Sequence, residues 1–365
     1  MKIHLKSKSS YHDLTQSKLF FSKYLKCWFR KNQRKLPWRS SKKDPNYAYK
    51  ILVSEFMLQQ TGVKTVVPYF QKFTNKWPDI VSLSKTNENE ILRYWQGLGY
   101  YSRSRNLLKT AKIINRDYNA NIPSSLEELI LLPGIGDYAS AAIRSIGFNK
   151  KATVIDGNVK RVIARFFSLE GTLASNFDDI SYLAKMLTPS KGNADYSQAI
   201  MEFGALICKP KQPECKLCIL REKCLSFKYG LVLSIPEAKK RINKKKLKCD
   251  SFLAINNNQF VLIIKRKEQN LLKDMWQLPS SDWISEMSVR KLSSQIPFKS
   301  NWIQQKKKIN YKFSHINLLN TTYVTKVKTK IKLDHLEYKW INLKKLDSYP
   351  LVTLTKKILL DNNLI

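Results

Sequence analysis

Read for apolar spacing, the chain changes character near residue 248. Before that point, apolar residues recur at the three-and-four spacing of helices that pack by one face. The first predicted helix covers 14–31 and is rich in aromatics: Leu14, Leu25 and Trp28 with Phe20, Phe21 and Tyr24. Leu36-Pro37-Trp38-Arg39 breaks it. Tyr47 to Thr61 forms the next, and apolar stripes continue through 63–73 and 88–96. Leu126 to Gly147 predicts two amphipathic helices around Leu132-Pro133-Gly134-Ile135-Gly136. A helix follows Asp156, with Val159, Val162, Ile163 and Phe166 in one stripe. Two more cover 178–189 and 194–207, the second carrying Tyr196, Ala199, Ile200, Phe203 and Ile207.

Beyond residue 248 the pattern is that of strands. Phe252–Ile255 and Phe260–Lys265 flank Asn256-Asn257-Asn258-Gln259 as a hairpin, Tyr311–Val327 and Glu337–Ile341 read as further strands, and Leu351–Leu360 as a closing helix. The pattern predicts an all-α domain over 1–229, a basic exposed linker over 230–248 and a smaller α+β domain over 249–365. There is no internal repeat.

Composition adds a partner class. With 65 Lys and Arg against 28 Asp and Glu in 365 residues, the formal charge is +37. That suits a polyanion, nucleic acid first and an anionic membrane surface second. Lys, Asn and Ile are all abundant, so an A+T-rich genome would also raise the lysine content without any binding role. Met1 to Ser10 is basic and polar, without the apolar core of a signal peptide, and no run approaches the ~18 apolar residues of a membrane span. The expectation is a soluble, cytoplasmic protein.

Candidate chemistry sits at a few positions. Glu55 shares a helix face with Ile51, Leu52 and Leu58, so burial would raise its pKa towards that of a general acid working near neutrality. A rim carboxylate that snorkels to water is the alternative. Asp156 lies at the start of a helix, with Asn158 the expected N-cap, and the helix dipole would favour its ionised form and lower its pKa. Lys160, Arg161 and Arg165 lie off the apolar stripe and would face a polyanion.

Gly97-Leu98-Gly99-Tyr100-Tyr101 is a tight turn that exposes two aromatics beside Arg103 and Arg105, a composition that suits a wedge in a base stack or two packed tyrosines. The Gly134-Ile135-Gly136 turn reads as a helix-hairpin-helix whose backbone N–H groups could bind phosphate, Asp137 having the wrong charge to do so by its side chain. Trp38 and Arg39 could meet a base or seal a helix end, and Glu202, beside its stripe, could point either way. Cys208, Cys215, Cys218 and Cys224 fall within seventeen residues. Four such thiolates suit a [4Fe–4S] cluster or a structural zinc, which spacing alone does not separate. Cys27 and Cys249 read as ordinary thiols.

Taken together, these stretches resemble the endonuclease III superfamily of DNA glycosylases and, within it, the MutY-type adenine DNA glycosylases. The resemblance runs from about residue 12 to 225 through Leu36-Pro37-Trp38-Arg39, Ser54-Glu55-Phe56-Met57-Leu58-Gln59-Gln60-Thr61, Gly97 to Tyr101, Leu132 to Gly136, Ile155-Asp156-Gly157-Asn158-Val159-Lys160-Arg161-Val162 and the four cysteines. The C-terminal part is similar, more loosely, to the family's Nudix-related domain through Leu271-Leu272-Lys273-Asp274-Met275-Trp276 and Phe313-Ser314-His315.

The resemblance implies an all-α helix-hairpin-helix glycosylase domain with an iron–sulfur loop, followed by a Nudix-like domain. It implies removal of adenine mispaired with 8-oxoguanine or guanine in double-stranded DNA, by a monomer associated with the nucleoid. Glu55 would protonate adenine at N7 and Asp156 would stabilise the oxocarbenium-like sugar, their pKa values pushed apart as in glycoside cleavage. Trp38, Arg39, Glu202 and Tyr138 would line the adenine pocket, and Asn158 would support Asp156. Tyr100 would be the intercalating wedge, and Gln59 and Gln60 would reach the base pair through the minor groove. Gly134, Gly136 and Lys160 would lie along the DNA. The four cysteines would hold a [4Fe–4S] cluster, and Phe313, Ser314 and His315 would meet 8-oxoguanine, with Ser314 the principal donor.

Two departures qualify the match. The C-terminal part lacks the Arg-Glu-x-x-Glu-Glu pattern that holds Mg²⁺ in nucleotide-hydrolysing Nudix domains, and a stretch of about ten residues, basic and polar, precedes the first matched helix. Two rivals remain: a glycosylase with lyase activity on oxidised pyrimidines, and a damage-recognition module without chemistry. The first needs a Schiff-base lysine where this chain has Tyr138. The second leaves both Glu55 and Asp156 unexplained.

Overall fold

A computed structural model describes residues 14–39, 43–238, 244–266, 272–288, 295–313, 315–333 and 337–365. The chain divides into two compact units, Met1–Lys85 with Asn106–Lys240, and Thr86–Arg105 with Arg241–Ile365. The helices in order are α1 (Leu14–Asn32), α2 (Tyr47–Leu58), α3 (Val63–Lys76), α4 (Ile80–Ser84), α5 (Glu88–Trp95), α6 (Ser102–Asp117), α7 (Leu126–Ile130), α8 (Asp137–Ala142), α9 (Gly157–Phe166), α10 (Phe177–Leu187), α11 (Asn193–Leu206) and α12 (Leu225–Lys228). Among the described residues, no helix is long and apolar enough to cross a membrane.

The first unit is helical. One core joins the apolar faces of α1, α9, α10 and α11: Phe21, Leu25, Trp28 and Phe29 meet Val159, Ile163, Phe166, Leu187 and Phe203. Phe21 meets Phe166 edge-on at 4.5 Å, and Trp28 meets Phe203 at 5.2 Å, the T-shaped geometry that aromatic quadrupoles prefer. Helix α2 is different. Every residue from Ile51 to Met57 is buried, so it runs through the unit instead of lying on it. It stops at Leu58, short of the predicted Thr61, because Gln60 takes a left-handed φ of 56°. Between Leu126 and Gly147 the predicted pair of helices is short: α7, a turn, α8, and a π-helical continuation over Ile143–Gly147.

The second unit is built on one sheet of β1 (Lys245–Asn256), β2 (Phe260–Lys265), β3 (Trp276–Gln277), β4 (Ile284–Ser285), β5 (Ile303–Gln304), β6 (Ile309–Lys312), β7 (Ile316–Val327) and β8 (Tyr338–Asn342), with α13 (Thr353–Asp361) closing the chain. The order β3-β2-β1-β7-β5 puts β1 and β7 at the centre, parallel and paired from Lys245↔Ile316 to Asn256↔Val327. The other pairings are antiparallel.

The stretch read as a linker is more structured than its composition suggested. Ile235 is buried in the helical core and Glu237 N–H donates to Gly171 O at 2.9 Å, while Lys245–Lys248 already belong to β1. Exposed lysines at a strand's first positions carry no apolar signal, which is why the pattern located the strand only from Phe252.

Candidate active site

Glu55 is 5 % exposed, and its Oε2 has no hydrogen-bond partner among the described residues. The snorkelling alternative is therefore excluded. Burial, reinforced by the charge of Asp156, raises its pKa to about 7, and only a hydrogen bond from the Tyr138 hydroxyl works the other way. Burial and both carboxylates keep that phenol protonated, so Tyr138 is a fixed donor facing two acids. Its hydroxyl also lies 3.5 Å from Met201 Sδ.

Asp156 is itself the N-cap of α9, the position expected of Asn158. Oδ1 accepts from Val159 N–H at 2.7 Å, and Oδ2 accepts from Asn158 Nδ2 at 2.7 Å. The expected downward pKa shift is not found. Burial raises the pKa, against the opposing hydrogen bonds from Val159 and Asn158 and the charge of Arg161. The two acids are thus both shifted upwards, and they differ in how many partners hold the charged form: Asp156 has several, Glu55 one.

Two arginines of α9 point inward, against expectation. Arg161 and Arg165 do not face solvent; both are buried. Arg161 Nη2 donates to Asn158 Oδ1 at 2.9 Å and to Gly204 O at 2.7 Å, and its Nε donates to Cys208 O at 2.8 Å. Arg165 donates to Lys209 O at 2.7 Å, to Ile235 O at 2.8 Å and to Cys208 Sγ at 3.4 Å. Lys160 stays half-buried, its Nζ 4.5 Å from the Phe177 ring centroid.

Gly204 was also overlooked. A Cβ there would lie 2.7 Å from Asn158 Cβ, so α11 can press against the start of α9 only with glycine at this position. A glycine inside the last turn of a helix, among apolar residues, was the available signal.

Glu202 turns inward. Arg34 holds it through its backbone N–H, Nε and Nη2 at 2.9, 2.8 and 2.7 Å, and Arg39 Nη2 donates at 3.0 Å. Burial alone would raise its pKa, but these two guanidinium groups bring it down to about 2. Arg39 also donates to Gln198 Oε1 at 2.9 Å, and Trp38 packs edge-on against Phe70 at 5.3 Å. Arg34 and Gln198 gave no signal in the sequence.

At the hairpin, Gln59 Nε2 donates to Gly134 O at 3.3 Å, tying the end of α2 to the turn, while Gln60 is exposed. The two glycines are not equivalent. Gly134 has φ +81°, and a Cβ there would meet Asn106 Cβ at 2.8 Å, whereas Gly136 has nothing within 4 Å. Gly134→Ala should therefore cost about 2–4 kcal/mol, from left-handed backbone plus overpacking, and Gly136→Ala well under half of that. Thermal unfolding of the two variants checks this, and equal melting temperatures would refute it.

The four cysteines line one cavity with Arg165, Pro213 and Phe227. Among the described residues, no three His, Cys, Asp or Glu side chains are set to hold a single metal ion. Burial raises the thiols of Cys218 and Cys224 to about 12 and about 11, so a bound centre would displace protons from them.

In the second unit, Tyr100 is 39 % exposed at a left-handed φ of 47°. Phe313 is half-buried between Trp283 and Tyr311, at 5.3 and 4.8 Å, and its N–H closes the β6–β7 turn on Ile316 O at 2.8 Å. His315 is exposed at that turn, and Ser314 lies outside the described residues.

Two family models match in succession along the chain. The model of the HhH-GPD superfamily of base excision DNA repair proteins matches residues 53–180, and a NUDIX domain model matches 251–361. The adenine DNA glycosylase of Buchnera aphidicola subsp. Schizaphis graminum is 36% identical over 306 residues, 82% of this chain and 85% of the relative. That of Buchnera aphidicola subsp. Baizongia pistaciae is 35% identical over 328 residues, 87% of this chain and 83% of the relative. The Homo sapiens adenine DNA glycosylase is 37% identical over 228 residues, 60% of this chain and 42% of that protein. Among solved structures, a thermostable thymine-DNA glycosylase superposes with a TM-score of 0.53 at 29% identity, over 60% of this chain and all of that one. A non-covalent endonuclease III–DNA complex, with TM-score 0.50 at 20% identity over 60% of this chain and 99% of that one, shares the helical fold. The chain belongs to the adenine DNA glycosylases, base excision repair proteins that join a helix-hairpin-helix domain to a Nudix-like one.

Proposed function

We propose that the protein hydrolyses the N-glycosidic bond of adenine paired with 8-oxoguanine, or with guanine, in double-stranded DNA. The observation that carries this is Glu55, a carboxyl buried without a partner on Oε2, beside a second carboxyl held in place at a helix start. Adenine must first leave the stack. The Glu55 carboxyl then gives its proton to N7 of the extruded base, and the C1′–N9 electron pair leaves with the adenine. Asp156, which Asn158 and Val159 N–H keep from swinging away, stabilises the cationic sugar through its negative charge. Water attacks C1′ and passes a proton to Glu55, which restores the acid. The Tyr138 hydroxyl steadies the carboxyl pair, and with no amine at that position the enzyme releases adenine without cutting the strand.

The four cysteines fit a [4Fe–4S] cluster. The support is four thiols lining one cavity, with a guanidinium N–H aimed at Cys208 Sγ. Bound there, the cluster would hold the loop 208–224 in shape. Anaerobically purified protein should be yellow-brown, with about four iron and four sulfide per chain; colourless, active protein with stoichiometric zinc would refute the assignment. His315 and Ser314 would read the base opposite adenine, where 8-oxoguanine has an N7–H donor and guanine an acceptor. Site: a cytoplasmic monomer on nucleoid DNA.

The deciding experiment is single-turnover excision on duplexes with A opposite 8-oxoguanine, A opposite G, and an oxidised pyrimidine. The expected product is free adenine from the first two, fastest from the first, with a strand that breaks only on later alkali treatment. Release of the oxidised pyrimidine, or efficient borohydride trapping of a Schiff base, would overturn the reading.

A further inference from the structure

The turn that carries Tyr100 is set from within by one arginine and fastened from outside by another. Arg103 is buried; its Nη2 donates to Leu98 O at 3.1 Å and to Gly99 O at 3.0 Å, and its guanidinium lies 5.5 Å from both the Trp95 and Tyr100 ring centroids. It is spent on the turn and has a structural task there. Arg105, on the same helix, points elsewhere. Its Nε donates to Glu88 Oε1 at 2.5 Å, and its Nη2 reaches Lys273 O and lies 3.5 Å from Asp274 Oδ2.

On the other side of the turn, Gln96 Nε2 donates to Leu351 O at 2.6 Å. Leu351 bridges Trp276 of β3, the edge strand of the sheet. The Lys273 carbonyl is also unusual. It lies between Leu272 and Asp274, both left-handed at φ 63° and 61°, a conformation that non-glycine residues keep only where their surroundings enforce it.

We propose that Arg105 is a positioning residue that fastens the Tyr100 turn to the Leu272–Asp274 loop, so that the sheet unit sets the depth of the aromatic wedge as well as reading the opposite base. This rests on the resemblance, which makes Tyr100 the wedge that enters the stack, and on the proposed function, in which Ser314 and His315 read the opposite base. A fork explains the residue type: one guanidinium serves a carboxylate on α5, a backbone carbonyl and a second carboxylate at once. The device links recognition to intercalation within one compact unit.

The test uses the full-length, cluster-loaded protein. Asp274→Asn removes the charge while keeping a residue that tolerates left-handed backbone, and Arg105→Met keeps length without donors. Two quantities are read: the ratio of single-turnover rates on A opposite 8-oxoguanine and A opposite G, and the fluorescence of 2-aminopurine placed beside the mispair, which reports unstacking. Each variant should lower the ratio about five- to tenfold and weaken the fluorescence rise, and the double variant should be no worse than Arg105→Met alone, as coupled partners require. Arg105→Lys should recover part of the loss. A full ratio and full unstacking in Asp274→Asn, or additive losses in the double variant, would overturn the proposal; if Arg105→Met fails to fold, Asp274→Asn decides. Tyr100→Ala separates the two levels. If it leaves both readouts unchanged, the wedge reading fails and takes this inference with it. If it abolishes unstacking while the Arg105 and Asp274 variants match the wild type, only the fastening fails.

Discussion

Glu55→Gln should bind an adenine:8-oxoguanine duplex as the wild type does and excise adenine about 10²–10⁴ times more slowly, the usual contribution of a positioned general acid. The amide keeps the shape of the side chain and loses the transferable proton. In the wild type, with the acid's pKa near 7, excision should fall as pH rises beyond that value, because the carboxyl is then ionised before it can donate. Single-turnover rates from pH 5.5 to 9 would show this limb, and a flat profile would contradict the assignment.

On substitution of Glu55 by Gln, stability should move the opposite way to activity. A carboxyl raised from 4.5 to about 7 on folding binds its proton more tightly in the native state, so its stabilising effect is complete below pH 4.5 and is lost as pH rises through 7. Above pH 7 the buried, ionised Glu55 costs on the order of 3 kcal/mol. Glu55→Gln should therefore melt higher than the wild type at pH 8 and similarly near pH 4.5, the trade-off expected of a strained active site.

Asp156→Asn should be nearly as damaging, by about 10²–10³ in rate, through loss of the charge opposite the cationic sugar. Asparagine can still cap α9, so melting and duplex binding should change little. Both carboxylate oxygens of Asp156 are already fixed by donors, which keeps the charge in one place and removes the cost of reorganising it during the reaction. Normal excision by Asp156→Asn in a single-turnover assay would remove Asp156 from the mechanism.

Of the two proposed catalytic acids only Glu55 was legible by itself, because a carboxylate in an apolar stripe breaks a local rule; Asp156 obeys one, an acid at a helix start, and stood out only through the resemblance. The cysteine spacing was equally plain. The inward turn of Arg161 and Arg165 was not, because they occupy the charged side of α9 and only the packing of α11 and the cysteine loop against that side makes it an interior. Asp156 shows how two effects compete: the helix start favours its charge, but burial outweighs it. Asn158 and Asp156 are both good cap residues, and spacing alone could not choose between them. The allegiance of Thr86–Arg105 to the sheet unit was equally hidden, since α5 has an ordinary helical pattern whose partners lie far along the chain.

That allegiance has a consequence for synthesis on the ribosome. Arg105 leaves the exit tunnel 168 residues before Lys273, and Gln96 leaves 255 residues before Leu351. At about 5–20 residues per second, the delay is roughly ten to fifty seconds. Within that interval Tyr138, Asp156 and all four clustered cysteines are added behind Glu55, yet the turn that carries Tyr100 still awaits its partners. A premature stop codon between residues 240 and 273 would release such a chain permanently, with the helical unit complete but without the carbonyl and carboxylate that Arg105 grips. Nonsense changes in that interval should behave as enzymes with intact chemistry and an unanchored wedge.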